Sequence, residues 1–406
     1  MSNVINKIMS FQEINSTLRN YFFILLGFSL SLSAALISIL MTLITLSWIL
    51  DSRIKTHLIE IRSNPVYMSC IFFLILHMIS FLWLEVTPIN ALKSWMIFLI
   101  PILGTSANSE IKYKGIMAFL LGMMLSELYV YGSIFQTWDQ YTQGYYSDEI
   151  FITMGHISYN PFLAIAISLV LITLLNDSLK GPQKIISLVF LITMIANMFM
   201  TGGRAGHVAF IFSWLLLSVY FLHRFPKKLF SMILALILII LAAWNFSPIF
   251  KDRVKAAESN ISAFIEEEKI DTSVGLRLHY TLQSLKIFLN KPLLGHGTGS
   301  FENEYSKNSK NKTYLTSNPH NNHVLVLVQF GLFGFLIYML IFVTQLRYFY
   351  FSKEKYKYRP MTLLLPLFFI LINFYDSYLW GHHTQALFAY LTAIFYNSHF
   401  KECQIN

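Results

Sequence analysis

Long apolar runs recur along this chain from near its start to near its end, and that pattern limits what it can fold into. Runs of about 18 or more apolar residues are long enough to cross a bilayer as helices. Only 13% of the residues are charged and 55% are hydrophobic, whereas soluble domains carry about 25% charged residues. The reading is an all-α, polytopic membrane protein. The first twenty residues are polar and the first apolar run far exceeds a signal-peptide core, so no cleavable leader is expected.

The runs fall at roughly 21–50, 66–86, 89–104, 115–135, 151–175, 184–200, 207–223, 229–250, 323–346, 361–379 and 384–397. The first is roughly thirty residues, long for one span and short for two ordinary ones. Charge decides between them. Lys7 and Arg19 precede this run, and Arg53, Lys55 and Arg62 follow it. If both flanks are cytoplasmic, the run must cross twice, as a tight hairpin turning near Ser31–Ser33. That predicts about twelve transmembrane helices with both termini inside.

The remaining loops keep the alternation. Loops placed inside carry Lys112 and Lys114, then Lys180 and Lys184, then Arg224, Lys227 and Lys228, then Arg347, Lys353, Lys355, Lys357 and Arg359. Loop 136–149, placed outside, has Asp139, Asp148 and Glu149 but no Lys or Arg, and the short outer turns add only Lys93 and Arg204. This distribution accounts for the net charge of +9 without a nucleic-acid partner. Cys70 lies in an apolar run and Cys403 near the end of the sequence, which suggests neither a disulfide nor a cysteine metal site. Three regions result: helices one to nine over 1–250, a large outer loop over 251–322, and helices ten to twelve with a short cytoplasmic tail over 323–406.

The outer loop has ten Lys and Arg, but long loops report poorly on topology. Val254, Ala257, Ile261 and Phe264 recur at helical spacing and are followed by the acidic patch Glu266–Glu268. After Asp271-Thr-Ser273, suited to an N-cap, Leu278, Leu282, Leu285 and Leu289 repeat the spacing until Pro292 and Gly295. Both stretches read as amphipathic helices on the bilayer surface or over the span ends. Gly295-His-Gly-Thr-Gly299 is a weak phosphate-loop signal and lacks the Lys-Ser/Thr of a nucleotide loop. Residues 302–318 are polar and Asn/Lys-rich and read as a mobile connection.

Several polar groups map to the outer face. Arg204 sits in Thr201-Gly-Gly-Arg-Ala-Gly206, where the glycines argue for close backbone approach, although an Arg there can also simply snorkel. Arg277 lies in the first turn of the second loop helix. His320 and His323 lie in Asn318-Pro-His-Asn-Asn-His323, and Asp376 lies near the end of run 361–379, with His382-His383 beyond it. Intramembrane acids are costly and usually paired or functional. Arginines can hold phosphate oxygens bidentately, and a neutral imidazole can take a proton from an attacking hydroxyl. The set suggests attack of an alcohol on a carbon attached to a lipid pyrophosphate. A zinc site is the rival for the histidines, but no HExxH or cysteine spacing supports it.

Three segments resemble the O-antigen ligase/polymerase superfamily of bacterial envelope glycosyltransferases. They are Thr-Gly-Gly-Arg-Ala-Gly around Arg204, Val274-Gly-Leu-Arg-Leu continuing to Phe288-Leu-Asn-Lys-Pro-Leu-Leu-Gly-His-Gly297, and Pro319-His-Asn-Asn-His through Phe330-Gly-Leu-Phe-Gly334. Gln329 stands where many members have an acid, which puts an acidic role there in doubt. The resemblance implies a GT-C-like glycosyltransferase of the bacterial inner membrane, with its active site facing the periplasm and no metal, nucleotide or other cofactor. The donor would be a glycan on undecaprenyl pyrophosphate and the acceptor a sugar hydroxyl of lipid A–core. His320 would be the base, and Arg204 and Arg277 the pyrophosphate contacts. Asp376, Asn321, His323 and His296 are supporting candidates.

Within the family, a single dominant outer loop with a His-Asn signature before a span favours a ligase over a polymerase. A protein O-oligosaccharyltransferase would be expected to carry more sequence after its last span. Outside it, the alternative is a transporter or lipid flippase, which would place polar groups near the bilayer midplane. Here they gather at one face, and stretches such as 229–243 are uniformly apolar.

Overall fold

A computed structural model describes residues 2–84, 95–135, 137, 154–177, 179–266, 270–309, 312–352 and 356–397. Lys93, Asp139, Asp148, Glu149, Glu267, Glu268, Lys353, Lys355 and Cys403 lie outside the described residues. Among the described residues the chain is all-helical, with sixteen α-helices and three short 3-10 turns.

The N-terminal hairpin forms where the charge argument put it. Helix α1 (Ser2–Ser29) turns at residues 30–33 into α2 (Ala34–Ile49), and the Ser33 hydroxyl caps α2 by accepting from Leu36 N at 3.3 Å. The expected polar lead-in, however, is part of α1. Its Arg19 is buried against Asp51, which also accepts from Arg53 (3.1 Å) and lies 3.3 Å from His57. The basic flank that holds Arg53, Lys55 and Arg62 contains α3 (Ile54–Ser63), bent 109° from α2.

Among the described residues, seven helices are long and apolar enough to span a membrane, or eight if the bent α2–α3 pair counts as one. They are α4 with its 3-10 extension (Pro65–Trp83), α6 (Ser109–Ile134), α7 (His156–Leu175), α8 (Pro182–Met200), α9 (Arg204–Leu222), α10 (Pro226–Phe246) and α14 (Asn322–Phe351). The other expected runs also carry helices, but shorter ones: residues 95–106, ending in α5 (Ile100–Ser106), then α15 (Arg359–Ile372) and α16 (His382–Phe395). A 14-residue helix such as α15 is about 21 Å long, less than the roughly 30 Å of a hydrocarbon core. Run 361–379 therefore ends as helix at Ile372, which places Asp376 in a turn rather than inside a span.

The turns gather at two ends. At one, the Asn64 amide donates to Tyr396 O (2.6 Å), Asn397 to Gly104 O (2.7 Å) and Asn176 to Lys357 O (3.0 Å). The described basic connections meet there. At the other end, His383 Nδ1 bonds Leu30 O (3.0 Å), and Asn322 N donates to Asn373 O (2.8 Å). Helices α11 (Pro248–Glu266), α12 (Ser273–Asn290) and α13 (Phe301–Asn308) cover this second end.

The two amphipathic helices of segment 251–322 are α11 and α12, the latter capped by Thr272, whose hydroxyl accepts from Gly275 N at 2.9 Å. Of 302–318, read as a mobile connection, residues 302–308 are instead helical, and 310–311 lie outside the described residues. Helix α13 buries Phe301 and Tyr305 against Ile287 of α12 and Val324 and Val328 of α14, a second small core. Apolar side chains every four residues within a polar stretch were enough to fix it.

The glycine-rich turn also has a structural task in place of a phosphate loop. Helix α14 is broken at Gly331 (φ 64°), and a break inside a span leaves backbone groups without helical partners. Residues 292–297 pair with it in antiparallel fashion. His296 N donates to Val328 O (3.0 Å) and Gly297 N to Gln329 O (2.7 Å), while Leu332 N donates to Pro292 O (2.8 Å) and Phe333 N to Leu293 O (3.2 Å). A Cβ at Gly295 would lie 2.5 Å from the Gln329 backbone, and one at Gly331 2.4 Å from that of Leu293. Close backbone contact, together with positive φ at both positions, explains these glycines.

Candidate active site

A cavity of about 920 Å³ opens at the covered end of the bundle. Its walls come from the start of α7, the α8–α9 turn, α11, α12 and the segments around His320 and Tyr378. Arg204, Arg277, His320 and Asn321, far apart in sequence, all line it.

His320 has φ 52°, a left-handed backbone that costs a non-glycine residue energy and persists only where its surroundings enforce it. Asn318 supplies that enforcement. Its Oδ1 accepts from His320 N (3.0 Å) and Ser377 Oγ (2.7 Å), and its Nδ2 donates to Asp376 Oδ1 (3.1 Å). His320 Nδ1 then lies 3.2 and 3.1 Å from the two Asp376 oxygens. The imidazole also stacks beside Tyr280, with centroids 6.0 Å apart. A carboxylate on Nδ1 fixes the tautomer with its proton there and leaves Nε2 as the acceptor. Among the described residues nothing bonds Nε2, and the side chain is 30% exposed.

Asp376 stands behind His320 rather than on the cavity wall. Burial pushes its carboxyl upward. The hydrogen bond and charge of His320, the charge of Arg277 and the Ser377 N–H prevail, so it titrates below the usual carboxylate range. Arg277 Nη2 lies 4.0 Å from Asp376 Oδ2. That separation leaves the guanidinium fork available for another anion.

Arg204 opens α9, and its Nη2 donates to Ser273 Oγ (2.6 Å) at the start of α12. The glycines around it do bring backbones close, but the partner is α7. A Cβ at Gly203 would lie 2.6 Å from His156 O, and one at Gly206 2.2 Å from Asn160 Cβ. Pro161 inside α7 has no N–H for Ile157 O, and the Tyr378 hydroxyl donates to that carbonyl instead (3.1 Å).

The supporting candidates divide. Asn321 lines the cavity, but its Oδ1 is engaged in capping α14, accepting from His323 N (3.1 Å) and Val324 N (3.2 Å). His323 points away, with Nε2 on Ile370 O (3.0 Å) and its ring against Phe374. His296 is buried between Ile287 O (3.2 Å) and Glu304 (3.4 Å) and ties α12 to α13. Neither histidine reaches the cavity, because each serves backbone or carboxylate partners within its own packing layer. His382 bonds Ser38 Oγ (2.9 Å), and Gln329 is buried in the break of α14. Among the described residues no group of three or more His, Cys, Asp and Glu is placed to hold a metal ion.

The sequence does not mark His156, Asp252 or Arg253 for the cavity, yet all three line it. Arg253 of α11 lines the wall, its guanidinium packed on Gly202. Its signal in the sequence is the run Lys251, Arg253, Lys255 at the head of an amphipathic helix. His156 heads α7 on the wall, and an ionisable residue at the head of an apolar run was the available sign.

The fold and the cavity together define a polytopic, all-helical membrane protein with a cationic cavity at one end. Residues 189–339 match the family model described as O-antigen ligase (Wzy_C). This stretch runs from α8 into α14 and contains Arg204, Arg253, Arg277 and His320, whereas Asp376 and His156 lie outside it. An uncharacterized protein of Haemophilus influenzae is 27% identical over 268 residues, covering 63% of this chain and 65% of that protein. The matched part therefore spans about 65% of that relative's length.

Proposed function

We propose that this protein is a glycosyltransferase acting on lipid-linked glycans, of the O-antigen ligase kind. It transfers a polysaccharide from undecaprenyl pyrophosphate to a sugar hydroxyl of lipid A–core, without a metal. The observation that carries the reading is His320 on the wall of a cavity that also presents Arg204, Arg253 and Arg277, with Asp376 behind its Nδ1 and, among the described residues, no partner on its Nε2. The match to the O-antigen ligase family model over 189–339 supports it.

In the proposed reaction the acceptor hydroxyl gives its proton to His320 Nε2 as its oxygen attacks the anomeric carbon. The bond from that carbon to the pyrophosphate oxygen breaks, and the carrier leaves as pyrophosphate. The Asp376 carboxylate stabilises the imidazolium that forms. The arginines stay charged throughout and meet the charge that grows on the departing oxygen. Twelve crossings, cytoplasmic termini and a periplasmic cavity in an inner membrane belong to the same proposal. The gathering of the described basic connections at the end opposite the cavity supports that orientation.

Deleting the gene and analysing two glycolipid pools tests the reading. Polymer stranded on the carrier together with bare lipid A–core is the expected result. Single-repeat capping would indicate a polymerase of the same superfamily, and unchanged pools would end the proposal.

A further inference from the structure

Within the turn that presents Arg204, Thr201 Oγ1 lies 3.1 Å from Asn197 O and 3.2 Å from Met198 O, and His207 Nε2 bonds Met198 O at 2.8 Å. Gly203 is the N-cap of α9 and makes no side-chain capping bond, and Gly202 and Gly206 flank Arg204. The anchor is Asn160, a fully buried residue of α7. Its Oδ1 accepts from Thr201 Oγ1 at 2.7 Å, and its Nδ2 donates to Met198 O (3.2 Å) and Gly203 O (3.3 Å). His207 Nε2 lies 3.4 Å from Nδ2 but bonds Met198 O at 2.8 Å, so the amide hydrogens remain with the carbonyls. An amide accepts and donates from one rigid plane. His207 joins the end of α8 to the start of α9, and Asn160 ties both to α7. His156 sits one turn before Asn160, at i−4 on the same face, and reaches the cavity.

We propose that Asn160, held by Thr201, is a positioning residue that sets where the Arg204 guanidinium stands in the cavity and so sets affinity for the lipid-pyrophosphate donor. This rests on the glycosyl-transfer reading above. A polar residue that merely packed helices would alter folding yield alone. A residue that positions Arg204 must be coupled to it.

The test uses full-length protein in liposomes with a lipid-pyrophosphate-linked glycan as donor. Thr201→Val keeps the shape and removes the hydroxyl, and Thr201→Ser keeps the hydroxyl. Thr201→Val is expected to raise the donor KM about three- to tenfold with kcat little changed, and Thr201→Ser to restore it. In an Arg204→Lys background, Thr201→Val should add less than about a factor of two. The same fold-change in both backgrounds, or a fall in kcat at constant KM, overturns the proposal. Asn160→Asp, which sets an oxygen against two carbonyls, should act in the same direction. If that variant does not fold, the Thr201 pair still decides. A second readout needs no activity: the rate at which a cationic thiol reagent labels Arg204→Cys in a Cys70→Ser, Cys403→Ser chain. If the wild type transfers no glycan, the functional reading falls. The labelling rate then decides, because a rate altered by Thr201→Val sustains the positioning role and an unaltered rate overturns it.

Discussion

Two arginine–aspartate pairs stand at opposite ends of this molecule and differ in what they leave open. Arg19 and Asp51 are sealed, with side chains 2% and 3% exposed, and Asp51 also meets Arg53 and His57. Arg19 also donates to Ser106 O and Ser47 O. Arg277 and Asp376 are 4.0 Å apart and 31% and 13% exposed, beside an imidazole with one free nitrogen. The first pair closes a connection between helices and is shut off from solvent. The second holds its charges next to each other without saturating them, which is what an anion-binding, proton-accepting site requires.

The largest expected effect breaks the open side of this comparison. His320→Ala should lower transfer by about 10²- to 10⁴-fold, the usual worth of a positioned general base, with the protein still in the membrane. Full capping of lipid A–core by this variant would falsify the catalytic role. On the closed side, Arg19→Met removes the buried cation from Asp51, leaving it Arg53 and His57, and should cost up to about 3–5 kcal/mol of stability. Thermal unfolding in detergent would read the loss, and an unchanged midpoint would contradict the picture of a sealed structural pair.

Arg204→Lys and Arg277→Lys should each weaken donor use while the fold persists, because a point charge replaces a planar fork. Losing a charged hydrogen bond costs about 1.5–3 kcal/mol, on the order of 10- to 100-fold in donor KM. Donor dependence identical to wild type would remove these residues from the site. His296→Ala offers a control among the histidines. It should lower stability by about 1 kcal/mol through its contacts with Ile287 O and Glu304, with transfer per folded molecule unchanged. A collapse of activity in folded protein would place His296 in the chemistry after all.

The smallest effect concerns acid. The folded-state carboxyl of Asp376 titrates below its ordinary value. Its contribution to stability is therefore complete above the ordinary carboxylate range and is lost as pH falls through the lower folded value. Asp376→Asn should flatten that part of the stability profile. If the acid limb were identical in both proteins, the His320–Asp376 contact would not be contributing.

Much of this arrangement was legible in the sequence because it depends on local pattern. Apolar runs and the distribution of Lys and Arg gave the helices and the hairpin at Ser31–Ser33, since burial in lipid and charge at the span ends act segment by segment. Spacing gave α11 and α12 for the same reason. Asp376 was placed near the end of a long apolar run, and only the ending of α15 at Ile372 moved it into a turn. The glycines of 295–299 suggested a phosphate loop, and their role became visible only once α14 was seen to break at Gly331 and to need backbone partners. His296, His320 and His323 look alike in sequence. Their roles separate by which partner each nitrogen finds, and those partners come from α13, the 373–377 turn and α15.

By itself, then, the sequence determined an all-helical membrane chain, a structured segment over 251–322, and the residue types that one end would offer. Hydrophobic period, capping residues and charge placement are properties of neighbours along the chain. Tertiary structure alone decided that Arg253 and His156 join Arg204 and Arg277, that Asp376 faces His320, and that Asn160 anchors the Arg204 turn. Those facts depend on which helix ends meet, and helix packing brings together residues more than two hundred positions apart.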